Sequence, residues 1–428
     1  MQNGSISYII SIVKAATRNG ISASLALLLC VALVATISTA GRATATNTYL
    51  HWFGYGSDGR SPVGNLIYNS SANVLYGLTG QGGSNSAGTI YSVNLSTGSE
   101  TILYNFPTSS TTSVTPSAGL ALWTDSTGHN YLFGFEYSTT NSSAIVWKFS
   151  LSSNTLTTSL GISSANTGNQ LMLSSDGNLY GTTYGTSSGS PPGTYGYFVK
   201  INPSTLAITS LYSFGAPTST NLANPTGALL EDSSGNFYGC ADGGGGGSQS
   251  AGWYGGMFEL VSNGLGGFSK TDTNFSSGIG PWGGPILASN GTMYAPTIDG
   301  PGSTGEGTIS NSGGGVSYTF PSTAPTPGKL PESPMSLGSD GYLYGTTHIG
   351  TVNQFGVLVA EGSMYQFNPT TNGVNYLVEF NGSDGSYGAN PDGAPSEVTD
   401  GSSNKWIVGV TAQGGMYDGG VVYKYGPM

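Results

Sequence analysis

Residues 227–241, with the sequence GALLEDSSGNFYGCA, decide the fold because they predict two strands joined by a tight turn. The first predicted strand runs from Gly227 to Glu231 and the second from Asn236 to Ala241, and both are rich in apolar residues. Between them, Asp232 to Gly235 has the aspartate, serine and glycine that are typical of a β-turn. The stretch therefore predicts a β-hairpin.

The residues that follow extend the hairpin to a unit of four strands. A glycine-rich loop, Asp242 to Trp253, leads to a third predicted strand from Gly256 to Val261, and a fourth runs from Phe268 to Phe275. Short turns follow the first and third strands, whereas the loops after the second and fourth strands are long. This pattern is typical of one blade of a β-propeller.

The unit recurs along the chain and is marked by an aliphatic–aromatic–glycine triplet, or a close variant of it, in the second strand. The middle residues of the seven triplets are Tyr76, Phe133, Tyr180, Tyr238, Tyr294, Tyr344 and Val408. They are spaced 47 to 64 residues apart, which is the scale of a four-stranded propeller blade. The sequence therefore predicts an all-β fold, a seven-bladed β-propeller of four-stranded blades.

The two ends of the repeat region predict how the ring closes. Thr48 to Phe53 resembles the fourth strand of a unit, and the last unit stops after its third strand, Val421 to Tyr425. An open ring would leave two strand edges free to pair with other chains. We therefore expect the N-terminal strand to complete the last blade.

The composition excludes several classes of protein. Glycine accounts for 70 of 428 residues, 7% of residues are charged and 37% are hydrophobic. Disordered chains need high charge and low hydrophobicity, collagen needs a strict glycine triplet, and this composition is poor in helix formers. The net charge of −11, with arginine only at Arg18, Arg42 and Arg60, leaves no basic patch, so we expect no nucleic-acid partner.

The first 45 residues predict export. Two basic residues precede an apolar run, Ile21 to Ile37, and small residues follow it. This is the pattern of a secretory signal, with cleavage expected after Ala45 or, as the alternative, after Ala40. An uncleaved membrane anchor is the other interpretation. We expect the protein to be secreted, periplasmic or on the cell surface, with no membrane contact beyond this segment.

Residues 46–428 are expected to form one domain, the propeller. They contain a single cysteine, Cys240, so no disulfide can form within this region. Cys240 follows the aromatic residues of a predicted second strand, and we expect it to be buried as a small apolar residue.

The repeat resembles the Gloeo/Verruco (GloVer) tandem repeat of exported bacterial proteins. The residues that carry the resemblance are Ser175 to Gly185 (SDGNLYGTTYG), Leu211 to Phe214 (LYSF), Gly82 to Tyr91 (GGSNSAGTIY) and Gly382 to Pro391 (GSDGSYGANP). The resemblance covers essentially the whole region after the signal. It departs from the pattern at Ala295, which replaces the triplet glycine, and at Thr124 to Asn130, where the turn is longer. It implies a repeat propeller with an exported or surface location. It implies no established chemistry, so no catalytic residue is carried over.

The long loops after the second and fourth strands form one rim, and we expect this rim to bind a ligand because long loops on a rigid scaffold often carry sites. Aromatic rings near the rim could stack on sugars or attract cations. The ligand-binding candidates are five aromatic residues and one aspartate, namely Tyr137, Tyr184, Asp242, Trp253, Tyr254 and Trp282. Packing between blades is the alternative role for the rings.

Two residues are candidates for catalysis. Glu136 occupies a position where most units have threonine, and an exception to a structural pattern can mark function. His348, one of three histidines, could act as a base or a ligand. The alternatives are sequence drift on an exposed loop for Glu136 and a hydrogen-bonded or solvent-facing side chain for His348.

Acidic residues in the glycine-rich loops are the candidates for metal binding. Calcium takes about 6–8 oxygen ligands, and carboxylates beside flexible loops can supply some of them. The candidates are Asp242, Asp299, Asp384 and Asp418. The sequence has no EF-hand, zinc-ligand spacing or nucleotide-binding loop, so we expect no cofactor other than, at most, calcium. A role in tight turns is the alternative for these aspartates.

Two functions fit these residues. The first is an exported binding or structural module for polysaccharide or another envelope component, because the scaffold is complete and no catalytic constellation is recognisable. The second is a metal-assisted lyase or hydrolase with its site on the glycine-rich rim. An enzyme should bring Glu136 and His348, or acidic residues, into one pocket with perturbed pKa values.

Overall fold

The computed structural model describes residues 45–107, 116–138, 143–159, 161–163, 165–185, 194–248, 252–264, 266–278, 280–299, 306–321, 328–350, 360–382 and 388–428. The chain divides into two compact units, Met1–Thr46 with Gly426–Met428, and Asn47–Tyr425. The first unit is described only at residues 45–46 and 426–428, and the second contains the propeller.

Seven antiparallel sheets form the propeller, and each sheet is one blade. The chain of strands begins with β1 (Thr46–Trp52). Blade 1 then contains β2 (Gly59–Asn69), β3 (Val74–Gly82), β4 (Thr89–Asn94) and β5 (Glu100–Asn105). Blade 2 contains β6 (Pro116–Thr124), β7 (Asn130–Ser138), β8 (Ser143–Ser150), and an outer strand split into β9 (Thr155–Thr158) and β10 (Ile162–Ser163). Blade 3 has a split first strand and contains β11 (Ala165–Gly168), β12 (Met172–Leu173), β13 (Leu179–Gly185), β14 (Tyr197–Ile201) and β15 (Ile208–Ser213).

The remaining blades follow the same order. Blade 4, with a small hairpin of β18 and β19 inserted, contains β16 (Ala223–Glu231), β17 (Phe237–Gly243), β18 (Gly247–Ser248), β19 (Gly252–Trp253), β20 (Gly256–Ser262) and β21 (Phe268–Asn274). Blade 5 contains β22 (Ile286–Leu287), β23 (Met293–Thr297), β24 (Thr308–Asn311) and β25 (Val316–Thr319). Blade 6 contains β26 (Ser336–Leu337), β27 (Leu343–Thr347), β28 (Ser363–Asn368) and β29 (Gly373–Glu379). Blade 7 contains β30 (Gly388–Thr399), β31 (Lys405–Gly414) and β32 (Val421–Gly426), and its outer strand is β1. The predicted seven-bladed propeller is therefore confirmed.

The N-terminal strand closes the ring as the sequence predicts. Strand β1 pairs with β32, which would otherwise be the free edge of blade 7. Just beyond β1, the backbone N–H of Phe53 donates to the carbonyl of Gly420 at 2.9 Å. Leu50 and Phe53 are buried in a core cluster that includes Tyr91 of blade 1, and the rings of Phe53 and Tyr91 lie 4.8 Å apart. Closure therefore combines strand pairing with apolar burial.

The triplet glycine of the second strand lies beneath an aromatic ring of the third strand. Gly239 is opposite Phe258, and a Cβ atom at Gly239 would lie within 3.0 Å of that ring. The same crowding occurs at Gly77, Gly134, Gly345 and Gly409, beneath Tyr91, Trp147, Tyr365 and Tyr423. In blade 5 the triplet has Ala295, and the residue opposite it is the small Ser310. The triplet residue and the residue opposite it in the third strand thus fill the same space in the core. A small residue at one position leaves room for a larger one at the other, which explains why Ala295 is tolerated in place of glycine.

Apolar cores lie between neighbouring blades. Leu78 and Ile90 of blade 1 pack with Leu132 and Trp147 of blade 2, and all four side chains are fully buried. Alternate residues of a strand face opposite sides of its sheet, so each blade contributes one face to each of two cores. This packing holds the first strands of the blades in a fixed ring around the centre.

Two further predictions concern Cys240 and membrane contact. Cys240 is fully buried, and burial raises the pKa of its thiol. This agrees with the expectation of a buried, apolar role. Among the described residues, no helix has the length and apolar character needed to cross a membrane.

Candidate functional site

The first strands of the blades, or the residues just before them, converge on a central cavity of about 370 Å³. All seven blades contribute to its lining. Bulges bring these residues inward: the pairing register shifts between Val63 and Ile67 in β2 and between Asp392 and Ser396 in β30, and β6 and β16 shift in the same way. A bulge adds a residue and bends the strand, so it re-aims the side chains beside it. The cavity has the volume of a small-molecule site, which is typically ~300–1,000 Å³.

Glycine residues allow the first strands, or the residues just before them, to approach one another closely. At Gly393, whose φ is +74°, a Cβ atom would overlap the carbonyl group of Gly64 in blade 1. At Gly227, whose φ is +66°, a Cβ atom would overlap the backbone of Gly284 in blade 5. Larger residues at these two positions would push the neighbouring blades apart and widen the central cavity. Glycine therefore fixes the spacing of the blades around the cavity.

Two amide side chains at the cavity join neighbouring blades. Asn65 Oδ1 accepts a hydrogen bond from the backbone N–H of Leu120 in blade 2 at 3.0 Å. Asn169 Nδ2 donates to the carbonyl of Pro225 in blade 4 at 2.7 Å and to Thr182 Oγ1 at 2.8 Å. These atoms already have partners within the protein. The two side chains therefore hold neighbouring blades in position, in addition to lining the cavity.

Three ionisable side chains from blades 6 and 7 meet at the cavity. Glu332 precedes β26, His348 follows β27, and Asp392 lies in β30. His348 Nδ1 is 3.5 Å from Glu332 Oε2, and these two side chains are 42% and 34% exposed, so a ligand could reach both. Burial raises the pKa of the Asp392 carboxyl, and the negative charge of Glu332 raises it further, while backbone N–H groups and His348 oppose the shift. Together the three groups can donate and accept protons and hydrogen bonds.

Trp282 adds an aromatic surface to the same cavity. It lies before β22 in blade 5, and 52% of the residue is exposed. An exposed indole beside charged and polar groups offers both a stacking face and an N–H donor. We refer to Trp282, Glu332, His348 and Asp392 as the channel site.

Glu136 lies apart from the channel site. It is in β7, opposite Pro116 and Ile145, and only 5% of the residue is exposed. Burial, and then the charge of Glu136, raise the pKa of Tyr104 in blade 1, so Glu136 faces the boundary between blades 1 and 2. It is not among the residues that line the cavity. The expected meeting of Glu136 with His348 therefore does not occur. His348 lies beside Glu332 instead, a residue that the sequence pattern did not single out.

The threonines that set Glu136 apart have a structural role. Thr79 Oγ1 lies 2.9 Å from Thr89 Oγ1 and accepts the Thr89 backbone N–H. Thr297 makes the same contacts with Thr308 in blade 5. Both pairs are buried at the end of the second strand. A carboxyl group at this position is therefore in an environment built for a hydroxyl group.

Of the other predicted ligand-binding residues, Tyr137 lies in blade 2 and Tyr184 in blade 3, and the rest lie in blade 4. Tyr184 Oη donates to Asp242 Oδ2 at 2.9 Å, and burial raises the pKa of Asp242 to about 6. Tyr254 packs against a core cluster that contains Cys240, so its ring serves packing. Trp253 is half-buried in the β18–β19 hairpin. The side chain of Tyr137 lies outside the described residues. Of the ring candidates whose side chains are described, Trp282 is the one that lines the cavity.

The predicted metal ligands that the structure describes, Asp242, Asp299 and Asp418, are not brought together. The carboxylate of Asp418 accepts the Gly414 backbone N–H at 3.2 Å, and its φ of +52° is that of a tight turn. The carbonyl of Asp299 accepts Thr297 Oγ1 at 3.2 Å, and Asp384 lies outside the described residues. Within the described ranges, the one group of three or more His, Cys, Asp or Glu side chains arranged to hold an ion is His51, Asp58 and Glu100.

Glu136→Gln should raise the free energy of unfolding near pH 8 and change it little near pH 5. Burial raises the pKa of Glu136 to about 7, above the ordinary 4.5, so the folded protein binds this proton more tightly than the unfolded chain does. Stability is therefore lost as the pH rises from about 4.5 through about 7, by roughly 2–3 kcal/mol. Glutamine cannot ionise and escapes this loss, which urea unfolding at the two pH values would measure.

The exposed Glu379 provides the control, since Glu379→Gln should change stability little at either pH. An equal pH dependence in the wild type and in Glu136→Gln would show that burial of Glu136 does not set the effect.

No model of a known protein family matches the chain, and no curated protein matches it. Solved structures do match. An oligogalacturonate lyase from Vibrio parahaemolyticus is 11% identical over 89% of this chain and 97% of that one, with a TM-score of 0.49. An oligogalacturonate lyase in complex with manganese is 11% identical over 90% and 98%, with a TM-score of 0.47. TolB from Acinetobacter baumannii is 13% identical over 75% and 64%, with a TM-score of 0.39. The GloVer resemblance stays a prediction, and at these identities and TM-scores the solved structures carry no argument about this chain.

Proposed function

We propose that the protein is an exported binding module that holds a carbohydrate or another envelope component at the channel site. The observation that carries the proposal is the half-exposed Trp282, which lines a cavity of small-molecule size together with Glu332, His348 and Asp392. Ligand sites typically combine an apolar surface with a few well-placed polar groups, and this cavity has both.

The chemistry of the site favours sugars. The face of an indole ring packs against the C–H groups of a pyranose, and the carboxyl and imidazole groups can bond its hydroxyls. The exposed fractions of Glu332 and His348 leave their polar atoms accessible to such a ligand. The predicted signal segment would place this site outside the cytoplasm, where polysaccharides are found.

The negative charge of the channel site and of the whole chain limits the class of sugar that can bind. Two of the three ionisable groups at the channel site are carboxyls, and the whole chain carries a net charge of −11. An acidic polysaccharide would be repelled, whereas a neutral or amino sugar would not be. We therefore expect neutral or cationic oligosaccharides to bind in preference to anionic ones.

Trp282→Ala should weaken oligosaccharide binding at least tenfold, because it removes the stacking surface. The measurement is isothermal titration calorimetry with cellohexaose, chitohexaose, a chitosan hexamer and hexagalacturonate. A tenfold loss corresponds to about 1.4 kcal/mol, within the range of a well-packed aromatic contact. Trp253→Ala is the matched control, since Trp253 lies in the β18–β19 hairpin and does not line the cavity.

Two results would contradict this proposal. One is saturable binding that Trp282→Ala leaves unchanged, and the other is tight binding of hexagalacturonate with no binding of the neutral or cationic sugars.

A second candidate function is catalysis by the same cavity, as a lyase or hydrolase. It is favoured by the proximity of His348 and Glu332 together with the raised pKa of Asp392, because acid–base catalysis needs a proton donor and a proton acceptor at one place. Incubation with the same oligosaccharides should then release new reducing ends or unsaturated products. Glu332→Gln and Asp392→Asn should abolish the release, and intact oligosaccharide after prolonged incubation would exclude this activity on these sugars.

A further inference from the structure

Three side chains with metal-binding groups meet where the ring closes. His51 is in β1, the closing strand of blade 7, Asp58 lies in the loop just before β2, and Glu100 begins β5, the outer strand of blade 1. They thus come from the three segments that meet at the closure point. This cluster is separate from the channel site, since none of its members lines the central cavity.

The distances between the ligand atoms suit one ion. His51 Nε2 lies 3.1 Å from Asp58 Oδ2 and 3.7 Å from Glu100 Oε2, and the three ligand atoms all lie within 4.8 Å of one another. Ligand atoms bound at ~2.1 Å to one tetrahedral or octahedral ion are roughly 3.0–3.4 Å apart. The His51–Asp58 distance lies in this range and the His51–Glu100 distance exceeds it by about 0.3 Å, so a small movement of the Glu100 side chain would give both pairs the spacing of ligands on one ion.

The surroundings hold these groups in place and largely exclude water. The side chains of His51, Asp58 and Glu100 are 19%, 9% and 12% exposed. The backbone N–H of Gly59 donates to Asp58 Oδ1 at 2.7 Å, which turns the other carboxylate oxygen, Oδ2, toward His51. The ring of Phe53 packs edge-on against the His51 imidazole, with the centroids 4.6 Å apart.

The carboxyl group of Glu100 is incompletely satisfied. Its Oε1 atom is buried and has no hydrogen-bond partner among the described residues. Two carboxyl groups held side by side in a largely buried place are costly to ionise, and a divalent cation between them would remove that cost.

We propose that His51, Asp58 and Glu100 bind one divalent first-row transition-metal ion, such as Zn²⁺ or Mn²⁺, and that this ion fastens the closing strand to blade 1. One imidazole nitrogen with two carboxylate oxygens is a donor set for these ions, whereas Ca²⁺ prefers oxygen ligands and more of them. Three protein ligands leave coordination positions for water. A shallow cavity lined also by the exposed Tyr55 and Met416 gives an ion a path from solvent.

Titration of the chelator-treated protein with ZnCl₂ and with MnCl₂ tests the proposal. One equivalent of at least one ion should bind, and it should raise the melting temperature by about 3 °C at saturation, because the ion binds the folded state only. CaCl₂ at the same concentration should give a smaller shift. Cobalt(II) should give a visible d–d spectrum that reports nitrogen and oxygen ligands.

Substitutions locate the ion. His51→Gln and Glu100→Gln should each lower the affinity at least tenfold and abolish the shift in melting temperature. His129→Gln is the matched control: His129 lies 3.7 Å from Asp125 but is 55% exposed, and it belongs to no such three-residue group in the described part of the chain. Circular dichroism would show that the variants are folded.

The proposal is overturned if the chelator-treated wild type binds neither ion, or if His51→Gln and Glu100→Gln bind as tightly as the wild type and His129→Gln do. Oligosaccharide binding at the channel site can be measured on the same variants. We expect it to be unaffected by His51→Gln, so failure of either proposal is distinguishable from failure of the other.

Discussion

Deletion of residues 1–53 should destabilise the propeller by about 5 kcal/mol or more, whereas deletion of residues 1–45 should leave its stability nearly unchanged. The longer deletion removes β1 and leaves β32 as an unpaired edge of blade 7. It also removes Leu50 and Phe53 from a buried core, and loss of one large apolar side chain from a core costs ~2–5 kcal/mol. Domains are stable by only ~5–15 kcal/mol, so the ring could open or fail to fold.

Differential scanning calorimetry of the two truncated proteins measures this effect. Phe53→Ala in the 46–428 protein isolates the packing contribution, and we expect it to cost roughly 3–5 kcal/mol. Size-exclusion chromatography would reveal association through the exposed edge of β32. Equal melting temperatures for the two truncations would contradict closure by β1.

Gly239→Ala should cost roughly 3 kcal/mol of stability although it adds only a methyl group. The new Cβ would overlap the ring of Phe258, which is fully buried between sheets and has little room to move. Overpacking a dense core typically costs ~1–3 kcal/mol, and the backbone of β17 is fixed by pairing on both sides. Urea unfolding of the variant measures the loss.

Two further variants make this test specific. Gly401→Ala is the control, since a Cβ there meets no atom within 4 Å, and its effect should stay within about 0.5 kcal/mol. Phe258→Leu combined with Gly239→Ala should recover part of the stability, because blade 3 already places the aliphatic Val199 opposite its triplet glycine, Gly181. If the double variant were no more stable than Gly239→Ala alone, the shared-volume explanation would be wrong.

The blades could be predicted from the sequence because every blade is built from the same local sequence features. The triplet, the short turns and the loop lengths are all local features, and they recur often enough to be counted. The closing strand was also predictable, since Thr48 to Phe53 matches the fourth strand of a unit and the last unit lacks one. The exact ends of the strands were less predictable. The predicted strand Gly227 to Glu231 is only part of β16 (Ala223–Glu231), in which a bulge interrupts the alternation of residues.

The channel site was harder to predict because its residues come from different blades. His348 and Trp282 were candidates, and Asp392 lies at the end of a stretch rich in glycine, but nothing in the pattern around Glu332 marks it. Its proximity to His348 depends on how the bulged first strands converge, which the pairing of strands within one blade does not reveal. Glu136 stood out as an exception to the threonine row, yet burial at a blade boundary places it away from the cavity.

The metal cluster shows the same limit. His51 and Asp58 are near one another in the sequence, but Glu100 lies 42 residues beyond Asp58 on a strand with no distinguishing pattern. Ring closure brings β1 beside blade 1, and only then do the three side chains meet. Sites formed at a ring junction therefore need the tertiary structure to be recognised.

Binding at the channel site is the central claim, and the indole N–H signals of the six tryptophans test it most directly. In protein labelled with ¹⁵N at tryptophan, each indole gives one NMR signal, and Trp282→Phe assigns that of Trp282. Titration with a neutral or cationic oligosaccharide that binds should shift the Trp282 signal most and leave that of Trp253 in place. A saturable titration that shifts Trp253 and leaves Trp282 unmoved would place binding on the β18–β19 hairpin and contradict the proposed site.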